Sequence, residues 1–293
     1  MGTGTPRPET AAAPRTGEIR MNETRKAAKQ AALAAGAFVR ERFTAGRTGS
    51  IIAKGQNDFV TEVDTASEAM IKESLGAEFP SIGFLAEESA EAQQNGDFWI
   101  IDPLDGTTNF IHGYQSIGVS IALMESGRVT LGCVYDPLRD ELFEAGLGAG
   151  ACLNGRPIRV SGAQRFAASL IGTGFPFSVP EHLEAYLGVF RDVFHGCRDI
   201  RRAGAAVLDL SHVAAGRLDG FWELYLKPWD MAAGALIVRE AGGKVSDFFG
   251  NDGFLETGTI VAASPGIFDR IVEVTKRHFT PETIAGLATH FIR

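Results

Sequence analysis

A mixed α/β chain built as two layered halves that meet near residue 160 is the architecture to which this polypeptide's residue pattern points. Three observations carry that reading. An alanine-rich segment with helical periodicity opens the ordered chain. Short apolar runs separated by turn residues then fill residues 82–153. After Ser161, helical and strand patterns alternate.

Taken in order, residues 1–20 are rich in Thr, Pro, Gly and Arg and have no apolar segment, so a disordered tail is expected there rather than a secretory signal. Pro6 stands where a myristoylation signal needs Ser or Thr. Asn22 is a candidate N-cap for a helix to about Phe43, with Ala28, Ala31, Ala32, Ala35, Phe38 and Val39 on one packable face. A break at 45–50 leads to a short strand, Ile51 to Ala53, ending at Lys54. Thr65 with Glu68 reads as a capping box for a second helix, made amphipathic by Met70, Ile71 and Leu75 and ended by Pro80. Strands are expected at 82–86 and 98–101, then at 116–124 and 129–135 around the turn Glu125-Ser-Gly-Arg128, and at 142–145 and 151–153. Helices are expected at 181–194, 205–216, 231–241 and 268–278, with strands at 221–224 and 260–263. Gly242-Gly243 stops the third of these helices. The halves divide as 21–160 and 161–293 within one catalytic unit.

Composition narrows the function. Hydrophobic residues make up 45% of the 293 and charged residues 22%, enough for a sizeable core in a soluble protein. With 28 basic and 36 acidic side chains the formal charge is −8, which argues against a general nucleic-acid binder. An anionic substrate then requires positive charge in the pocket, and bound metal ions are one source. Cys133, Cys152 and Cys197 are odd in number and widely spaced, as expected of reduced thiols in the cytoplasm. No apolar run approaches the ~20 residues that span a bilayer.

Acidic residues recur at the ends of apolar strands or the starts of helices: Asp64, Glu87 with Glu88, Asp102 with Asp105, and Asp230. Singly, these could be caps, turns or solvated loop residues. Jointly they suit a hard divalent cation such as magnesium, which takes few protein carboxylates and keeps positions for phosphate and water. In Asp102-Pro-Leu-Asp105-Gly-Thr-Thr-Asn-Phe110, Pro103 keeps the chain out of helix, so Asp102, the Leu104 carbonyl and Asp105 can face one volume. Gly106 permits close backbone approach, and a helix beginning at Thr107 would offer free N–H groups to phosphate.

DPLDGTTNF (102–110), with AEES (86–89) before it and PWDMAAGALIVREAGG (228–243) after it, closely resembles the inositol monophosphatase family. DFVTEVD (58–64), TGFPF (173–177) and the 201–223 segment agree in order, so the likeness runs from about Asn22 to Ser264. The resemblance implies a layered αβαβα sandwich, a homodimer, lithium sensitivity, and about two to three magnesium ions between the halves. It implies that Glu87, Asp102 and the Leu104 carbonyl hold one ion and Asp102, Asp105 and Asp230 a second, with Glu87 helping to retain a weaker third. Asp64 and Thr107 would orient and deprotonate the attacking water, with Glu87 completing the catalytic set. Substrate would meet the Gly106 and Thr107 amides, Glu223, Gly204, Ala205 and Ala206, and Glu87, Leu104, Asp105 and Asp230 around the phosphate. Many relatives carry Ser or Thr where Ala205 stands, and Lys54 is as well read as a surface lysine as a site residue. Trp222 and Trp229 read as packing residues. The implied activity is hydrolysis of inositol-1-phosphate. Histidinol phosphate and fructose-1,6-bisphosphate are alternative substrates for the same chemistry, and a regulatory binding protein is the alternative of another class.

Overall fold

The computed structural model describes residues 16–46, 51–55, 58–89 and 96–285. Helix α1 (Thr16–Thr44) starts well before Asn22, so residues 16–20, expected in a tail, belong to a helix. Arg20 lies 3.3 Å from both the Asp97 and the Glu125 carboxylates, a tether between distant segments that periodicity does not register. Ala27, Ala28, Ala31, Ala32, Ala35 and Val39 are buried, so the small face packs as expected.

Strands β1 (Ile51–Gly55) and β2 (Asp58–Thr61) form an antiparallel pair. The side chain of Lys54 falls outside the described residues. Helix α2 (Glu62–Glu78) follows β2 directly, and this moves its cap. Thr61 is the N-cap: its Oγ1 accepts from the Val63 N–H at 3.1 Å, and Asp64 Oδ2 accepts from the Thr61 N–H at 2.9 Å. The capping pair is therefore Thr61 with Asp64, not Thr65 with Glu68.

A seven-stranded sheet runs β3 (Gly83–Ala86), β4 (Phe98–Asp105), β5 (Gly118–Glu125), β6 (Arg128–Asp136), β7 (Glu141–Gly146), β8 (Gly150–Leu153) and β9 (Arg156–Pro157), neighbours in that order. Only β3 and β4 are parallel. Strand β4 does not stop at Ile101 but carries on through Pro103, with its register against β5 broken between Asp102 and Asp105. Asp102 still pairs with Ser120 and Asp105 with Gly118, so the bulge takes up Pro103 and Leu104 between the two carboxylates. A five-stranded sheet holds β10 (Leu170–Thr173), β11 (Asp199–Arg201), β12 (Gly220–Leu224), β13 (Lys244–Ser246) and β14 (Thr259–Ala263), in the order β11-β10-β12-β14-β13. Strands β2, β9, β10, β11 and β13 have no counterpart in the sequence reading; β9, β11 and β13, at two or three residues, are too short to show an alternation.

The remaining helices are α3 (Thr107–His112), α4 (Leu183–Gly196), α5 (Ala206–Ala214), α6 (Pro228–Glu240), α7 (Phe254–Thr257), α8 (Pro265–His278) and α9 (Pro281–Ala285). Helices α1 and α2 cover one face of the large sheet, α5 and α6 lie between the sheets, and α4 and α8 cover the far face of the small sheet. The chain is thus a five-layered αβαβα sandwich. Its middle layer comes from the second half of the sequence yet fills the space between both sheets, burying Leu208, Leu210, Met231 and Ile237 with Ile100, Val134, Phe221 and Ile260. Helix α6 begins at Pro228, which places Asp230 inside the first turn rather than before it. Cys133, Cys152 and Cys197 are free thiols. Among the described residues no helix is long and apolar enough to cross a membrane.

Candidate active site

A cavity of about 500 Å³ opens where the bulged end of β4, the segment after β3, the entry to α5 and the start of α6 meet. Glu87, Asp102, Leu104, Asp105, Gly106, Thr107, Gly204, Glu223 and Asp230, all expected in the site, line it. Segments far apart in sequence bring these carboxylates together; Asp102 and Asp230 are held by local geometry and Asp105 by a distant segment. Asp102 Oδ1 accepts from the Leu104 N–H at 3.0 Å within the bulge. Asp230 Oδ2 accepts from the Lys227 N–H at 2.7 Å, using one of the unmet donors at a helix start. Asp105 Oδ2 accepts from the Val207 N–H at 2.8 Å, in the first turn of α5. The N-cap of that helix is Ala205, which has no oxygen to offer, so a carboxylate from the other half of the chain supplies the cap.

Gly106 takes a left-handed conformation, φ 87°, and a Cβ there would stand 2.7 Å from the Ser116 carbonyl oxygen. Only glycine fits this corner at no cost. Thr107 Oγ1 donates to Asp64 Oδ1 at 2.7 Å. The other Asp64 oxygen is bonded by the Thr61 amide and hydroxyl, so Asp64 faces the cavity through Thr107 rather than lining it. The residues of the capping pair thus also hold the Asp64–Thr107 contact.

The electrostatics follow from burial. Asp102 is pushed well above the usual carboxylate range by desolvation, then by the charges of Glu87, Asp105 and Asp230. Asp105 is raised by burial and by Asp230, against the Val207 N–H. Asp230 is raised by burial to about 6, with the Lys227 amide and charge opposing, and it hydrogen-bonds Asp102. Glu223 is raised by burial and then by Asp209, with Arg202 opposing. Desolvation raises Asp64 as well, and its hydrogen bonds from Thr61 and Thr107 pull it back.

The Glu223 carboxylate sits over Gly174, where any Cβ would overlap it. Ala205 and Ala206, expected at the substrate, are buried instead, and Gly204 forms the cavity wall on that side. Their methyl groups pack into the layer between the sheets, where α5 needs an apolar surface. Trp222 and Trp229 are buried packing residues, as expected. The sequence reading missed the rim. Arg202 lies 5.4 Å from the ring centroids of both Phe175 and Phe177, and all three line the cavity with Tyr225. It also missed Asn109, whose amide donates to the Ser116, Ala203 and Gly204 carbonyls and ties α3 to the α5 entry. TGFPF and RRAG were visible as family motifs, but only packing shows that they meet.

The model of the inositol monophosphatase family matches residues 20–279. The chain belongs to the inositol monophosphatase family. Among relatives, it is 48% identical over 238 residues to a Pseudomonas aeruginosa protein named Nus factor SuhB, covering 79% of this chain and 88% of that one. An Escherichia coli protein of the same name is 45% identical over 242 residues, covering 82% and 91%. Among solved structures, the extragenic suppressor protein suhB of Bartonella henselae has a TM-score of 0.83 at 40% identity, covering 88% of this chain and 100% of that one. The inositol monophosphatase of Anabaena has a TM-score of 0.79 at 37% identity, covering 90% and 99%. Membership in the inositol monophosphatase family supports phosphatase chemistry at this cavity.

The family implies a metal, and the donor set fits one. Glu87, Asp102, Asp105 and Asp230, all hard oxygen donors, line one cavity with Leu104; Asp102 and Asp105 are raised by burial and by neighbouring carboxylate charge, and Asp230 by burial. A hard divalent cation is the group that such a set accommodates. Among the described residues no group of three or more His, Cys, Asp or Glu side chains lies close enough together to hold a metal ion as they stand, so the fit rests on the chemistry of the donors rather than on a formed coordination geometry.

Proposed function

We propose that this member of the inositol monophosphatase family is a magnesium-dependent phosphomonoesterase acting on a small polyol phosphate, with inositol-1-phosphate the first candidate. The observation that carries the reading is that Glu87, Asp102, Asp105 and Asp230 line one cavity with Glu223, beside the Asp64–Thr107 pair. Glu87, Asp102 and the Leu104 carbonyl would hold one ion and Asp102, Asp105 and Asp230 another, with Glu87 shared by a third. When bound, the ions acidify a water and neutralise charge on the transferring phosphoryl group.

The chain's own residues do the rest. Thr107 Oγ1, its proton directed to Asp64, offers its lone pairs to a water and orients it toward phosphorus. Asp64, raised by burial, is a better proton acceptor than an ordinary carboxylate and takes the water's proton through Thr107. The oxygen–phosphorus bond forms and the bond to the alcohol oxygen breaks; the departing alkoxide takes a proton from solvent water, and Asp64 returns the proton it accepted to solvent, so the turnover balances. The Gly106 and Thr107 amides hold the phosphate, and Glu223 accepts from a substrate hydroxyl. Glu223 would also accept from an amine, which keeps histidinol phosphate as an alternative, with fructose-1,6-bisphosphate.

Phosphate release from inositol-1-phosphate should require magnesium and cease with EDTA. It should fall by at least about a hundredfold in Asp105→Asn and decline as LiCl is added. A protein inactive under every condition would overturn the enzymatic reading. It would favour the second one, partner binding, toward which the name Nus factor of the Pseudomonas and Escherichia relatives points.

The same chain is read as a cytoplasmic homodimer. Leu183, Leu187, Phe190 and Phe194 form a helically spaced apolar stripe on α4, with Leu183 and Leu187 each 41% exposed and Phe194 62%. Phe175 and Phe177, also exposed, link that region to the cavity rim. A second copy is the occupant this surface suits.

A further inference from the structure

We propose that Glu68 is a positioning residue that sets the aim of Glu87, an inference that rests on the metal-dependent reading above. Glu68 stands on α2, outside the cavity, and its side chain is only 5% exposed. It accepts from the Glu88 N–H at 2.8 Å and from the Ser89 hydroxyl. One turn along, Lys72 lies 3.9 Å from Glu68, donates to Ser89 Oγ at 2.8 Å, and rests over the Phe84 ring. Helix α2 thus grips the segment that leaves β3.

The grip has a specific consequence for Glu87. Its own N–H donates to the Ile101 carbonyl at 3.2 Å, which fixes the peptide before its Cα. The Glu88 N–H, held by Glu68, fixes the peptide after it. With both peptide planes held, the φ and ψ of Glu87 are set, and with them the direction of its Cα–Cβ bond. Burying a carboxylate is costly unless its oxygens are hydrogen-bonded, and both Glu68 oxygens are spent on the two residues that follow Glu87. A buried acid that spends its acceptors on the backbone beside a cavity carboxylate is suited to orientation. Groups that orient ligands in this way change metal affinity by about 10–100-fold when removed.

The test is isothermal titration of MgCl₂ into wild type, Glu68→Ala, Glu68→Gln and Ser89→Ala without substrate. Hydrogen exchange at 83–89 and phosphate release against magnesium concentration accompany it. Glu68→Ala should bind magnesium about tenfold or more weakly, exchange faster at 87–89, and recover most of its kcat when magnesium saturates. Glu68→Gln should stay within about threefold of wild type, because its amide can still accept from Glu88 and donate to Ser89. Ser89→Ala should show a smaller loss in the same direction, which carries the test if Glu68→Ala does not fold. Unchanged magnesium affinity in Glu68→Ala or, if that variant does not fold, in Ser89→Ala would overturn the proposal, as would Glu68→Gln failing like Glu68→Ala. A wild type that neither binds magnesium nor releases phosphate would instead end the functional reading itself.

Discussion

Glu223 and Gly174 show how one residue's identity depends on another's. The glycine leaves the space in which a half-buried carboxylate lies, and the carboxylate faces the cavity because the space exists. Gly174→Ala should therefore displace Glu223 and lower kcat/KM for inositol-1-phosphate on the order of 10- to 100-fold. A monoester without neighbouring hydroxyls should lose much less, and steady-state kinetics on the two substrates separates the effects. Asp105 shows the same dependence across a longer span, since the carboxylate proposed to hold metal also caps α5 where Ala205 cannot. The carboxylates were legible from sequence because their chemistry is their own. Arg202 and Glu68 were not, because an arginine or a glutamate acquires its meaning from what it touches.

Helix α2 illustrates why the boundary of an element matters. Its cap lies at Thr61 because β2 delivers the chain straight into the helix, and this ties Asp64 to the helix start as well as to Thr107. Reading Thr65 and Glu68 as the cap follows the motif but misses the neighbouring strand, and so misses what Glu68 is available to do. Helix α5 offers a pH test away from the cavity. His212 is lowered to about 4, first by burial and then by Arg217 and Arg139. Its ordinary value is 6.5, so between 6.5 and 4 the unfolded chain binds more protons than the folded one. Stability from this group is complete above that window and lost as pH falls through it, by roughly 3 kcal/mol. Buried carboxylates raised in the fold work in the opposite sense, so the measurement is a difference: denaturant unfolding of wild type against His212→Gln at pH 7 and at pH 5. The wild type should lose more stability on acidification than the variant.

At the scale of the molecule, the αβαβα sandwich explains why the cavity lies where it does. The layer between the sheets is made by α5 and α6 from the second half, and their first turns point at the bulged end of β4 from the first. On the far surface, the stripe on α4 predicts a dimer: light scattering should give twice the chain mass for wild type and a shift to monomer for Leu187→Glu with Phe194→Glu. Residue order alone was enough for most of the alternation of helix and strand, the carboxylates and the family motifs, because periodicity, turn chemistry and side-chain type are local properties. Tertiary packing decided that Asp64 works through Thr107, that Ala205 and Ala206 are buried while Gly204 lines the wall, and that Arg202 meets Phe175 and Phe177 at the rim. Those outcomes depend on hydrogen bonds and contacts between residues distant in the chain, whose partners exist only once the layers have closed.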